Sequence, residues 1–311
     1  MTPFAIVFPG QGSQSVGMLD AWGDHPAVRQ TLQEASDALG EDIARLIAQG
    51  PKEQLDLTTN TQPVMLAADI ACWRAWQAET GLAPVAVAGH SLGEYAALVA
   101  AGALSLADAL PLVRFRAQAM QDAVPVGAGG MAAILGLDAQ AVREGCAQVA
   151  ARGEVVEAVN FNDPKQTVIA GTKAGVEQAC EALKAAGAKR ALPLPVSAPF
   201  HSSLMKPAAD RLKDKLAAVA LYSPALPVIN NIDVAAEIDA GRIRDALYRQ
   251  AFGPVRWVEC VQALKARGAQ AIVECGPGKV LAGMAKRIDA ELAAYSIFDP
   301  ASLADTRGAL A

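Results

Sequence analysis

The stretch Val85-Ala86-Val87-Ala88-Gly89-His90-Ser91-Leu92-Gly93-Glu94-Tyr95-Ala96-Ala97-Leu98-Val99-Ala100-Ala101 decides the fold of this chain. Its first four residues form a short apolar run of the kind buried in a parallel sheet. From Glu94 onward it is alanine-rich and favours helix, with Gly102 as a stop. Between the two, Gly89-His90-Ser91-Leu92-Gly93 fits Gly-x-Ser-x-Gly. On a strand-to-helix turn of this type the serine sits on a tight bend with Oγ above the sheet edge, and the flanking glycines let the backbone bend closely. The N–H of Leu92, at the helix start, then points where a carbonyl oxygen would become negative. Such a pentapeptide also recurs by chance as an ordinary turn with a solvated serine. The strand before it and the helix after it make Ser91 the candidate nucleophile.

At 311 residues the chain has room for one large domain or for a large and a small one. A composition of 52% hydrophobic against 19% charged residues excludes disorder. The net charge of −5, without a Lys/Arg stripe, argues against a nucleic-acid partner. No apolar run approaches a membrane span, and Met1-Thr2-Pro3-Phe4 lacks the basic start of a signal peptide. Cys72, Cys146, Cys180, Cys260 and Cys275 are odd in number and include no Cys-x-x-Cys pair. That pattern fits reduced core thiols in a cytoplasmic protein and no zinc site. The expected form is a monomer.

Working outward from the elbow, residues 4–8 read as an opening buried strand, followed by Pro9-Gly10-Gln11-Gly12-Ser13-Gln14. Helices are expected over 62–80, where Pro63 suits a first turn, and over 105–122. Ser105 and Asp108 read as a capping box, and Pro111 inside that helix should kink it. From 127 to 198 the rhythm changes: strands at 131–135, 155–161, 167–170 and 189–196, and helices at 138–151 and 173–186, with a turn at Asn162-Asp163-Pro164. That order is βαββαβ, the ferredoxin-like arrangement. Gly127-Ala128-Gly129-Gly130 and the prolines 193, 195 and 199 serve as hinges. Helices at 204–219, 242–251 and 255–266 and strands at 270–274 and 293–298 then resume a pattern that predicts a mostly parallel sheet covered on both faces. The expected organisation is a large α/β domain from 1–126 and 199–311, with a small ferredoxin-like domain, 127–198, inserted.

A serine nucleophile at neutral pH needs a base, most often histidine, and the chain has three. His25 precedes Pro26 in a polar segment and reads as exposed. His90 adjoins Ser91, and its side chain should leave on the opposite side of the bend. His201, in Pro199-Phe200-His201-Ser202-Ser203, lies in a loop that can reach across a cleft between domains, so it is the preferred base. An α/β-hydrolase would order its residues Ser, Asp, His with the histidine near the end; here 110 residues follow His201, and no acid stands in an orienting position. Arg114 and Arg116 both fall off the apolar face of Leu106, Ala109, Leu110, Val113 and Met120, and by periodicity alone either reads as a solvated charge. Gly10-Gln11-Gly12 lacks the third glycine of a dinucleotide fingerprint, and Gly276-Pro277-Gly278-Lys279 lacks the spacing and hydroxyl of a P-loop.

Several motifs recur in a shared order: Phe8-Pro9-Gly10-Gln11-Gly12-Ser13-Gln14, the elbow through Tyr95, Arg116 with Gln118 and Met120-Gln121, and Gly130-Met131-Ala132-Ala133. Val196-Ser197-Ala198-Pro199-Phe200-His201, Leu204-Met205-Lys206-Pro207, Arg249-Gln250 with Pro254-Val255-Arg256-Trp257, and Glu274-Cys275-Gly276-Pro277-Gly278-Lys279 continue it. Together they resemble the malonyl-CoA:acyl carrier protein transacylases of bacterial fatty acid synthesis, over nearly the whole chain. The resemblance implies a hydrolase-like α/β core with a ferredoxin-like insertion and a malonyl-serine intermediate on Ser91 with His201 as base. It implies a main-chain carbonyl near Gln250 orienting that histidine, an oxyanion hole from the N–H groups of Gln11 and Leu92, and Arg116 on the malonyl carboxylate. Arginine suits that task because its planar fork makes two parallel charge-assisted bonds. The implied partners are malonyl-CoA and holo acyl carrier protein, with no metal or redox cofactor. Phe200 stands where many members carry serine and resembles the malonyl-selective modules of polyketide synthases. Loading of polyketide carriers therefore stays open as an alternative, as does a serine thioesterase on the same elbow.

Overall fold

Phe4–Phe8 has no exposed face, and all five residues are buried as β1, the middle strand of a five-stranded parallel sheet. The computed structural model describes residues 1–196 and 198–311; the motif residue Ser197 lies outside the described residues. After β1 come the helices α1 (Pro26–Leu39), α2 (Ile43–Gln49), α3 (Lys52–Leu55) and α4 (Thr58–Thr80). β2 (Ala86–Gly89), α5 (Gly93–Ala100) and α6 (Leu106–Asp122) follow. The next unit is β3 (Gly129–Leu135), α7 (Ala139–Ala150), β4 (Val156–Asp163), β5 (Gln166–Thr172), α8 (Lys173–Ala185) and β6 (Arg190–Pro193). The chain closes with α9 (Lys206–Ala218), β7 (Val228–Ile229), α10 (Ala240–Gln250), α11 (Trp257–Ala266), β8 (Ala271–Cys275), α12 (Val280–Ile288), β9 (Ala293–Ile297) and α13 (Pro300–Leu310).

The main sheet runs β7-β2-β1-β8-β9, every pair parallel. β1, β2 and β7 are apolar throughout because helices cover both faces, while β8 carries the buried Glu274 and the edge strand β9 carries Ser296. The register Phe8↔Gly89 brings the carboxyl ends of β1 and β2 level, so the Pro9-Gly10-Gln11 loop and the Ser91 turn emerge side by side. That edge is where open parallel sheets bind ligands.

The second sheet runs β4-β5-β3-β6, all antiparallel. Strand period 2 divides its two faces. Ala132 and Ile134 pack with Val142, Cys146 and Leu183 under α7 and α8, while Met131 and Ala133 join the core of the main sheet. Val255 stitches the two sheets together: its N–H donates to Val159 O at 2.8 Å and its carbonyl accepts from Phe161 N at 3.0 Å.

Several elements differ from the sequence reading. α4 starts at Thr58, so Pro63 lies inside the helix and not in its first turn. At its start Thr61 Oγ1 bonds back to Leu55 O (2.6 Å) at the end of α3 and to Leu57 O (3.1 Å). β4 extends through Asp163, which moves the hairpin turn to Pro164-Lys165, where Lys165 N donates to Asp163 Oδ1. Ser105 caps α6 by accepting from Asp108 N at 3.0 Å, but the Asp108 carboxylate accepts from the Ser105 hydroxyl, so the reciprocal bond of a capping box is replaced. α6 runs on through Pro111 as one helix. β7, α12 and α13 have no counterpart in the sequence reading.

Candidate active site

The elbow is dictated by close approach. A Cβ on Gly89 would stand 1.8 Å from the Gly93 carbonyl carbon, and one on Gly93 would stand 2.1 Å from Phe8 O, so neither position admits a side chain. Ser91 itself has φ 54, a left-handed conformation that costs energy for a residue with a Cβ. Asn231 holds it there, accepting from Ser91 N at 2.7 Å through Oδ1 and donating to Gly89 O at 2.8 Å through Nδ2.

His201, also at positive φ and 4% exposed, approaches from the loop after β6. Its Nε2 lies 2.7 Å from Ser91 Oγ, and its Nδ1 lies 2.8 Å from the carbonyl oxygen of Gln250. A carbonyl can only accept, so Nδ1 carries the proton and Nε2 is free to take one from the serine hydroxyl. Burial, reinforced by the nearby Arg116 charge, pushes the imidazole down to about 3, which keeps it neutral at pH 7 with the Nε2 lone pair unprotonated.

The other histidines stand elsewhere. His25 is packed edge-on against Trp22 and lies 3.4 Å from Glu79, half-buried instead of exposed. His90 turns away from Ser91 and bonds Asn162 Oδ1 on β4 at 2.8 Å, its ring against Trp257.

Arg116 is 2% exposed, contrary to the solvated charge that periodicity predicts. Arg116 lies on the flank of the apolar stripe, beside the buried Leu112 and Ala119, where Gln62 of α4 and Gln250 at the end of α10 cover its guanidinium, so the buried face of α6 is wider than the stripe. Its Nη1 donates to Gln62 Oε1 (2.8 Å), and its Nη2 donates to Gln250 Oε1 (3.0 Å) and, more distantly, to Ser91 Oγ (3.4 Å). All three acceptors are neutral. Arg114 instead points outward to an ion pair with Glu41.

Gln11 and Leu92 line the same cleft, and among the described residues no acceptor pairs with the backbone N–H of either. The cleft holds about 900 Å³, its open mouth included. Ser91, His201 and Arg116 lie on one wall, with Met131, Asn160, Asn162 and Val168 from the second sheet on the other. The site thus combines a serine, a neutral base oriented by a carbonyl, free N–H donors and a buried cation, which suits acyl transfer to and from an acid-bearing substrate. Among the described residues no group of three or more His, Cys, Asp or Glu side chains is placed to hold a metal ion. No helix there is long and apolar enough to cross a membrane.

Three residues that hold the site escape the sequence reading: Gln62, Asn231 and Glu94. Only Glu94 leaves a trace, as a lone acid in the otherwise apolar start of the elbow helix.

Comparison with known proteins follows the same lines. Residues 5–293 match the model of a family described as an acyl transferase domain. A malonyl CoA-acyl carrier protein transacylase of Salmonella typhimurium is 54% identical over 304 residues, 97% of this chain and 98% of that protein. The crystal structure of an acyl-carrier-protein S-malonyltransferase from Burkholderia pseudomallei matches with a TM-score of 0.97 at 66% identity, covering 99% of this chain and all of that one. A malonyl-transacylase in complex with its type II PKS acyl-carrier protein gives the same TM-score at 50% identity, with 99% and 100% covered.

Proposed function

Because the chain belongs to the acyl transferase domain family, we propose that it transfers the malonyl group from malonyl-CoA to the phosphopantetheine thiol of acyl carrier protein, the loading step of fatty acid synthesis. The observation that carries this reading is a buried guanidinium on neutral acceptors, 3.4 Å from Ser91 Oγ. A neutral acyl group has no use for that charge, whereas a malonyl carboxylate neutralises it.

The transfer runs in two halves. His201 Nε2 takes the Ser91 proton as Oγ attacks the thioester carbonyl, and the N–H groups of Gln11 and Leu92 receive the developing oxyanion. The C–S bond breaks, the proton passes from His201 to the departing CoA thiolate, and a malonyl ester remains on Ser91. The carrier thiol then gives its proton to His201, attacks the ester and frees the serine, which recovers the proton. Gln250 O keeps the imidazolium in place throughout.

The division into a large domain, 1–126 and 199–311, and a ferredoxin-like domain, 127–198, is supported by the order of the second sheet. Numbered within that unit, it runs 4-1-3-2 with every neighbour antiparallel. Five buried free thiols fit a reducing cytoplasm, and one chain carrying the whole set of residues fits a monomer.

The test is intact mass after mixing with malonyl-CoA, then with holo carrier protein. A malonyl adduct that is absent in Ser91→Ala and moves to the carrier is expected. An adduct that decays to free malonate before carrier is added makes the protein a thioesterase instead, and no adduct overturns the reading.

A further inference from the structure

Glu94 is 2% exposed in the first turn of α5. Its Oε2 accepts two hydrogen bonds, from Asn231 N at 2.8 Å and from Gln250 Nε2 at 3.0 Å. Asn231 is the residue that holds the Ser91 backbone in its left-handed conformation. Gln250 presents its main-chain oxygen to His201 Nδ1 and its side-chain oxygen to Arg116 Nη2, and its Nε2 also donates to Ser91 O at 2.9 Å. The Gln250 amide therefore joins an anion to a cation, giving a hydrogen to Glu94 and taking one from Arg116. Two N–H donors converging on one buried oxygen call for an acceptor, and an ionised carboxylate accepts most strongly.

We propose that Glu94 is a positioning residue of the transfer, its carboxylate fixing Ser91 through Asn231, and His201 and Arg116 through Gln250; this rests on the malonyl-transfer reading above. The groups around it are Arg116 on α6, Tyr95 on its own helix, Asp233 and Glu237 from the segment after β7, Cys260 on α11 and, beyond Gln250, His201. Burial outweighs the bonds from Gln250 and Asn231 and the Arg116 charge, and pushes the Glu94 carboxyl up to about 7. Protonation makes both charge-assisted bonds neutral and removes the balancing charge behind Arg116. The charged, organising form gains population as pH rises through 7, so the transfer rate rises with it. His201, held near 3, adds no limb in that range.

The experiment is single-turnover acylation of the full chain by malonyl-CoA, read by intact mass across pH, for wild type, Glu94→Gln and Glu94→Asp. The wild-type rate should climb between about pH 6 and 8 as the carboxyl titrates. Glu94→Gln should be flat with pH and roughly 10- to 100-fold slower at the upper end, with half-saturation by malonyl-CoA not weakened. Glu94→Asp should restore the limb with part of the rate. A Gln variant whose rate and pH profile match the wild type overturns the proposal. Should the variants not fold, a wild-type rate flat over that range overturns it equally. A wild-type protein that takes up no malonyl at any pH overturns the malonyl-transfer reading itself, a different failure.

Discussion

The guanidinium of Arg116 is buried against the side-chain oxygens of Gln62, Gln250 and Ser91, none of them charged. Burial pushes its pKa down, and the Tyr95 and Glu94 groups offset part of that. A buried cation without a direct anion is costly, and a substrate that brings a carboxylate removes the cost. Arg116→Ala should therefore lower kcat/KM for malonyl-CoA by roughly 10- to 150-fold, the worth of hydrogen bonds to a charged group, while acetyl-CoA changes little. Competition between the two thioesters checks this, and an unchanged malonyl preference rules the role out. At this scale Ser91 and His201 are readable in the sequence because a glycine-flanked serine and a scarcity of histidines leave few choices. The burial of Arg116 is not, since period 3.6 marks an apolar stripe but cannot say how far beyond its edge neighbouring elements cover the helix.

α12 shows how an element can depend on a residue outside it. Its N-cap, Lys279, makes no side-chain cap bond, and Ala282 N in the first turn donates instead to Glu274 Oε2 (2.8 Å) from the end of β8. Burial pushes the Glu274 carboxyl up to about 7, despite the helix N–H groups that favour its charge. Asp69 on α4, also buried, is held well above the carboxylate range by burial and by Glu274. A folded pKa raised above the unfolded one means stability complete below about pH 4.5 and lost as pH rises through 7, a loss of about 3 kcal/mol for Glu274. Glu274→Gln keeps an oxygen for Ala282 and cannot ionise. Its thermal stability should match the wild type near pH 5 and exceed it at pH 8, whereas parallel curves would show that Glu274 does not titrate. The strands β1 and β2 are legible as unbroken apolar runs, and β8 as an apolar run up to Glu274. α12 is obscured by Gly276-Pro277-Gly278 before it and Gly283 within it, and β7, two residues long, has no period to detect.

Across the whole molecule, the cleft lies between two sheets that share little chain but several ties. His90 bonds Asn162, Arg287 Nε bonds Asp163 Oδ2 at 2.7 Å, and Val255 pairs with β4. The cleft is lined by the loops after β1 and β2 and by strands of the second sheet. Malonyl-CoA bound to the Ser91→Ala protein should protect backbone amides of 90–93, 116–120, 160–162 and 200–201 from hydrogen exchange, leaving 26–49 unchanged. Protection confined to one sheet would place the substrate elsewhere.

By itself the sequence determined what is local or periodic: the elbow with its two obligatory glycines, the buried parallel strands, the βαββαβ order of the middle segment, and the candidate pair Ser91 and His201. Only the tertiary structure decided how distant groups meet. Gln250 reaches Ser91 and Glu94 across 159 and 156 residues, and Asn231 reaches Ser91 across 140. Those bonds are made by single polar side chains in loops and at helix ends, where no periodic pattern marks them. Their partners are chosen by the sheet register that sets β1, β2 and β7 side by side.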